Sequence, residues 1–150
     1  MSVSVPSSAK AKKIRVMVVD DSIVARNLLI TGLSAHPLIE VAGYAVNALD
    51  AKNKLARLKP DVMTLDVEMP GESGLDLLKE LLPTHPIPVI LVSSLNLRVF
   101  DALAAGAVDF VRKPEANQSR DAFLATLAQK IVVASHAPVH PASPGARQPP

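Results

Sequence analysis

Residues 14–37 read IRVMVVDDSIVARNLLITGLSAHP, and their pattern changes partway along. From Ile14 to Val19 the chain is a nearly continuous apolar run rich in β-branched residues, the composition of a short strand covered on both faces. Two aspartates follow. From Ser22 onward Ile23, Leu28, Leu29 and Leu33 fall near one face of a helix, and Pro37 blocks its continuation. The same strand-then-helix unit occurs five times. The spacing predicts strands at Ile14–Val19, Ile39–Tyr44, Val62–Leu65, Val89–Ser93 and Ala107–Val111, and helices over about 22–35, 47–58, 73–82, 96–105 and 118–133. In the second helix Ala48, Leu49, Lys52, Leu55 and Leu58 alternate with Lys54, Arg57 and Lys59 before Pro60; the third presents Leu75, Leu78, Leu81 and Leu82. Strands that are apolar on both sides need a helix layer on each, so the pattern predicts an α/β fold with a doubly wound parallel sheet and right-handed crossovers.

A chain of 150 residues buries a sizeable single core without disulfides or a structural metal. Its residues are 49% apolar but only 3% aromatic, so that core is built from Val, Leu, Ile and Ala. Cysteine is absent, which excludes a disulfide framework, a thiolate zinc site and a cysteine nucleophile together. Residues 1–13, MSVSVPSSAKAKK, read as a disordered basic leader, 14–133 as the folded domain, and 134–150, which hold five of the thirteen prolines, as a proline-rich linker or tail. No apolar run approaches the roughly 18 residues of a membrane helix, and no signal-type apolar segment opens the chain, so the expected location is cytoplasmic with no membrane partner. The sequence pI near 9.0 does not point to nucleic acid. Four of the sixteen basic residues lie in the head and tail, leaving twelve against all fourteen acidic ones, a folded region of net charge −2.

In an open parallel sheet ligands bind outside the carboxyl ends of the strands. Here the first strand ends in Asp20 and Asp21, the third in Asp66 and the fourth in Ser93, while Lys113 and Pro114 follow the fifth. If the first and third strands are neighbours, three carboxylates converge, and the cluster must be neutralised by protonation, a cation or a lysine. A hard divalent ion such as Mg²⁺, which takes one or two carboxylates, water and a substrate phosphate, answers that need. The arrangement suits phosphoryl chemistry: Asp66 as nucleophile on phosphorus, Lys113 and Ser93 on phosphoryl oxygens. Taken singly, each residue has a plainer reading. Asp21 or Ser22 can cap the first helix, and Glu68 is either a further acid or a loop residue bordering the site. Gly71 and Gly74 read as turn formers. There is no Walker A loop, no G-x-G-x-x-G and no G-x-S-x-G elbow, and the histidines at 36, 85, 136 and 140 sit in loops or the proline-rich tail.

The strings VMVVDDSIVARNLL, DVMTLDVEMPGESGLDLL, PVILVSSL and AGAVDFVRKP together resemble the receiver (response regulator) domain of two-component signalling over roughly residues 14–133. The resemblance implies a flavodoxin-like fold with strand order 2-1-3-4-5 and five helices. It also implies Asp66 as phosphoacceptor, Asp20 and Asp21 as the acidic pair, Lys113 as the family's lysine before a cis-prone Pro114, and the backbone carbonyl of Glu68 as a further Mg²⁺ ligand. Ser93 takes the switch Ser/Thr position with Phe110 as its aromatic partner; the plainer reading of Phe110 is a core residue. Within the family, LDVEMPG, VSSL and GAVDFV resemble the N-terminal receiver of chemotaxis protein-glutamate methylesterases. That likeness implies a chemotaxis histidine kinase (CheA-like) as phosphodonor and a C-terminal effector domain or partner protein as output, the chain itself being no enzyme. Two departures stand out: the segment between Ser93 and Gly106 is shorter than in those receivers, and Ser73 replaces a common acidic residue.

Two alternatives remain. One is a stand-alone response regulator. The other is a haloacid-dehalogenase-like phosphatase, suggested by Asp66-Val67-Glu68; that fold places its nucleophile after the first strand, whereas Asp66 follows the third predicted one.

Overall fold

A computed structural model describes residues 12–69, 74–94 and 97–136. Five parallel strands, β1 (Ile14–Val19), β2 (Ile39–Ala45), β3 (Val62–Leu65), β4 (Val89–Ser93) and β5 (Asp109–Arg112), form one sheet in the order β2-β1-β3-β4-β5. Helices α1 (Ile23–Ser34), α2 (Ala48–Leu58), α3 (Gly74–Leu81), α4 (Leu97–Ala104) and α5 (Arg120–Ser135) join and follow them. The expected order is thus observed, and β1 and β3 are neighbours.

Alternation along the strands sends side chains to two cores. Met17, Val19, Met63, Leu65, Val89 and Leu91 meet α2, α3 and α4 through residues such as Leu55, Leu77, Leu78 and Val99. Val16, Val18, Val62, Ile90 and Val92 meet α1 and α5 through Leu29, Leu33, Phe123, Leu127 and Ile131. The register pairs Val19 with Leu65 and Ser93 with Arg112, so the residues following β1, β3 and β5 emerge side by side at one edge. Three main-chain bonds hold that edge: Asp20 N–H to Ala45 O at 3.1 Å, Asp66 N–H to Val19 O at 3.0 Å and Lys113 N–H to Ser93 O at 3.0 Å.

The helix faces depart from the sequence reading in two places. Ile23 and Leu49, assigned to apolar faces, are exposed, and the buried positions are Arg26, Leu29 and Leu33 in α1 and Ala48, Ala51 and Leu55 in α2. Ile23 is the first residue of α1, and Leu49 lies one position off the buried stripe that Ala48, Ala51 and Leu55 form. The fifth strand runs from Asp109 to Arg112, not from Ala107 to Val111. Gly106, at φ 124°, turns the chain out of α4, and Ala107 N–H still closes onto Ala102 O at 3.1 Å, so Ala107 is spent on the turn. Ser119 caps α5, which continues through Ser135, two residues past the expected boundary of 133. Among the described residues no peptide bond is cis, so the bond before Pro114 is trans, unlike the cis-prone expectation. Pro70, Gly71 and Ser73, together with 1–11 and 137–150, lie outside the described residues.

Candidate functional site

The site is built at the carboxyl edge of β1, β3 and β5. One oxygen from each of Asp20, Asp21 and Asp66 lies within 4.8 Å of the others. Asp20 and Asp66 are buried and Asp21 is exposed. Both buried carboxylates are fixed by the chain that follows them: Ser22 N–H donates to Asp20 Oδ1 and Glu68 N–H to Asp66 Oδ1, each at 2.9 Å. Their other oxygens share one cation. Lys113 Nζ stands 2.9 Å from Asp20 Oδ2 and 3.1 Å from Asp66 Oδ2. The predicted convergence of Asp20, Asp21, Asp66 and Lys113 is therefore observed.

Electrostatics follow from burial. Removal from water pushes the Asp20 carboxyl above its ordinary range, and the Ser22 N–H and the Lys113 ammonium offset this only in part. Burial also works against the charge on Lys113, but the carboxylates of Asp20 and Asp66 overcome it and hold the ammonium above the usual lysine range. One lysine for three carboxylates leaves the pocket net negative. Asp20 Oδ2 is buried and, despite its ion pair, makes no aligned hydrogen bond. An all-oxygen donor set with such an under-served carboxylate oxygen fits a hard divalent cation.

The capping question is answered at α1. Ser22 Oγ accepts from Ala25 N–H at 3.2 Å, so Ser22 is the cap and Asp21 is left to face the pocket. Glu68 is exposed in the loop after β3, its own N–H tied to Asp66; its side chain is not in the carboxylate cluster. Ser93, the last residue of β4, is fully buried, and its hydroxyl has no hydrogen-bond partner. Phe110, half-buried in β5, packs on the core that also holds Leu91, the residue two before Ser93 and on the same side of the strand. Gly74, at the start of α3, comes so close to the loop after β3 that an added Cβ would stand 2.8 Å from Val67 Cα and 3.0 Å from Asp66 O. That contact explains its glycine better than turn formation does.

Sequence reasoning missed Arg26. Its guanidinium is buried and donates from Nη1 to the Asp20 carbonyl at 3.1 Å. A signal was available: Arg26 stands three and seven residues before Leu29 and Leu33, which puts a cation on the buried stripe of α1.

Comparison with known proteins agrees with this geometry. Residues 16–124 match the family model described as the response regulator receiver domain. A protein-glutamate methylesterase/protein-glutamine glutaminase of Syntrophomonas wolfei is 48% identical over 128 residues, covering 84% of this chain and 38% of that protein. One from Syntrophotalea carbinolica is 48% identical over 134 residues, covering 85% of this chain and likewise 38% of its own length. The chain thus spans under two-fifths of these curated relatives. Among solved structures, the response regulator domain of Thermotoga maritima CheB superposes with a TM-score of 0.78 at 38% identity, covering 85% of this chain and 99% of that one.

Proposed function

The chain belongs to the response regulator receiver family, and from that premise we propose that it is a Mg²⁺-dependent phosphoacceptor that takes a phosphoryl group from a histidine kinase onto Asp66. The observation that carries this reading is a buried carboxylate at the end of the central strand, held at 3.1 Å by a lysine and flanked by two further carboxylates. Asp20, Asp21, Asp66 and the backbone carbonyl of Glu68 are the groups that would hold the ion. When bound, the ion supplies positive charge against the negative charge of the transferring phosphoryl group.

The chain's own residues do the rest. The Glu68 N–H orients Asp66 so that one carboxylate oxygen is presented at the sheet edge. As that oxygen bonds to phosphorus, the bond from phosphorus to the donor's histidine nitrogen breaks and the nitrogen keeps the electron pair. Lys113 then has a phosphoryl oxygen to hold in place of a bare carboxylate. The new acceptor oxygens give the unpartnered Ser93 hydroxyl a hydrogen-bond partner, drawing Ser93 toward Asp66 and opening space for Phe110 on the same face of the sheet.

The output we propose is a protein-glutamate methylesterase, the activity for which the two relatives are named, working in chemotaxis and reached through a C-terminal effector domain or partner protein, with a kinase of the chemotaxis system as donor. No helix among the described residues is long and apolar enough to cross a membrane. Incubation with acetyl phosphate and Mg²⁺ should add one phosphoryl group by intact mass and none to Asp66→Asn. Labelling of that variant at the wild-type rate overturns the assignment. Turnover of p-nitrophenyl phosphate would instead favour a phosphatase.

A further inference from the structure

Arg26 is the only buried basic side chain among the described residues, and burying a guanidinium is costly without compensation. Its compensation is unusual. Besides the hydrogen bond to the Asp20 carbonyl, its Cζ lies 5.0 Å from the ring centroid of Tyr44 in β2. That ring faces a second cation, Lys54 Nζ, at 4.8 Å. Lys54 is itself tied down, donating to the Tyr44 carbonyl at 2.7 Å and pairing with Asp50 at 3.2 Å, and Asp50 accepts from Val46 N–H at 3.0 Å. Tyr44 is therefore braced from α2 and presents a fixed aromatic face to Arg26.

The effect converges on one residue. The N–H of Asp20 is bonded to Ala45 O, the neighbour of Tyr44, its carbonyl to Arg26, and one carboxylate oxygen to Ser22 N–H. Main chain and side chain of Asp20 are held from three directions, leaving Oδ2 to Lys113 at 2.9 Å. We propose that Arg26, seated on the Tyr44 ring, is a positioning residue that fixes Asp20 for divalent-cation binding. The inference rests on the Mg²⁺-dependent reading of the site. Its logic is that of groups behind a ligand, which orient it and whose loss typically weakens metal affinity about 10- to 100-fold.

The test uses the full chain, with Mg²⁺ affinity measured by calorimetry, melting in chelator as the check on folding, and acetyl-phosphate labelling rates titrated with Mg²⁺. Arg26→Met should weaken Mg²⁺ binding about tenfold. Its labelling should slow at low Mg²⁺ and return close to the wild-type rate at saturation. Tyr44→Leu should weaken Mg²⁺ binding about threefold, and Tyr44→Phe, which keeps the ring, should restore it. This half-exposed pair decides the matter even if Arg26→Met does not fold. Folded variants with wild-type Mg²⁺ affinity, or a Tyr44→Phe as impaired as Tyr44→Leu, overturn the positioning role alone. A wild type that takes up neither Mg²⁺ nor phosphoryl overturns the underlying reading of the site.

Discussion

Asp21 and Ser22 are adjacent, and replacing each by alanine should produce opposite phenotypes. Ser22 Oγ caps α1 through its 3.2 Å bond with Ala25 N–H, and losing such a cap costs about 1 kcal/mol. For a domain of this size that lowers Tm by about 3 °C. The bond that orients Asp20 comes from the Ser22 main-chain N–H, which alanine retains, so Mg²⁺ affinity should hold. Asp21 caps nothing. Its exposed carboxylate lies within 4.8 Å of two buried ones, so in chelator Asp21→Ala should melt at or slightly above the wild-type temperature. A unit charge about 4 Å from a divalent cation is worth about 2 kcal/mol even at the dielectric constant of water. With part of that offset by desolvation, the loss is about tenfold in affinity, about 1.4 kcal/mol. At a Mg²⁺ concentration about 100 times the wild-type Kd, binding adds about 2.7 kcal/mol to the wild type and about 1.4 kcal/mol to the variant. The Mg²⁺-induced rise in Tm should therefore roughly halve, from about 8 to about 4 °C. Scanning calorimetry with chelator and with Mg²⁺ reads both quantities. An Asp21→Ala that melts clearly lower in chelator, or keeps the full Mg²⁺ shift, refutes this division of labour.

Further outcomes follow from the same geometry. Gly74→Ala forces a methyl against Val67 Cα and Asp66 O, backbone that cannot swing aside, and should cost about 2 kcal/mol by denaturant titration; a neutral result would show that α3 slides freely. Because burial raises the Asp20 pKa, its ionised form opposes folding, and the stabilising protonated form is lost as pH climbs from the unfolded value of 3.8 through the raised folded one. In chelator, Asp20→Asn should then gain stability over the wild type as pH rises from about 4 toward neutrality, and parallel profiles would contradict this. The raised Lys113 pKa gives the opposite end: its contribution is full below 10.5 and should fade only at more alkaline pH, visible as a loss in the wild type that Lys113→Met lacks. Ser93→Ala removes an unpartnered buried hydroxyl and should leave the unmodified protein as stable or more so, while blunting amide NMR shifts around 93–111 on adding beryllofluoride; undiminished shifts would leave Ser93 out of the response.

The fold was legible because its strands are apolar on both faces, a pattern that permits few architectures, and because Pro37 and Pro60 mark where two helices must stop. Where it misled, the cause is position along an element. Periodicity assigns Ile23 and Leu49 to a buried face, but Ile23 opens α1 and Leu49 falls one position off the stripe of Ala48, Ala51 and Leu55. It assigns Ala107 to a strand because Ala107 is apolar and buried, yet its N–H is taken by α4. The carboxylates were legible for a different reason: strand ends in a parallel sheet point to one edge, and the family resemblance supplied the order that makes β1 and β3 neighbours and so joins Asp20 to Asp66. Arg26 was not legible. Its role depends on the packing angle that lays a residue of α1 over a ring in β2, and no spacing within either segment encodes that.

Among the described residues five polar or charged side chains are buried: Asp20, Arg26, Thr64, Asp66 and Ser93. Thr64 stands within β3, and the other four lie at the carboxyl edge of the sheet or bond directly to it. A fold selected only for stability would spread such costs thinly or replace them with apolar residues of similar volume, because an unpartnered buried hydroxyl costs about 1–3 kcal/mol and a buried charge costs more. Here the costs are concentrated where a cation and a phosphoryl group would relieve them, the one by neutralising carboxylates, the other by accepting from Ser93. Relief available only when the site is occupied is free energy that differs between two states, and on the proposed reading that difference would let a local change of charge move a packed residue such as Phe110. Thr64 stands one residue short of the end of β3, paired with Val18 and Ile90, whereas Ser93 is the last residue of β4. Of the two orphaned hydroxyls among the described residues, the one at the strand end is therefore the one that the proposed switching would use.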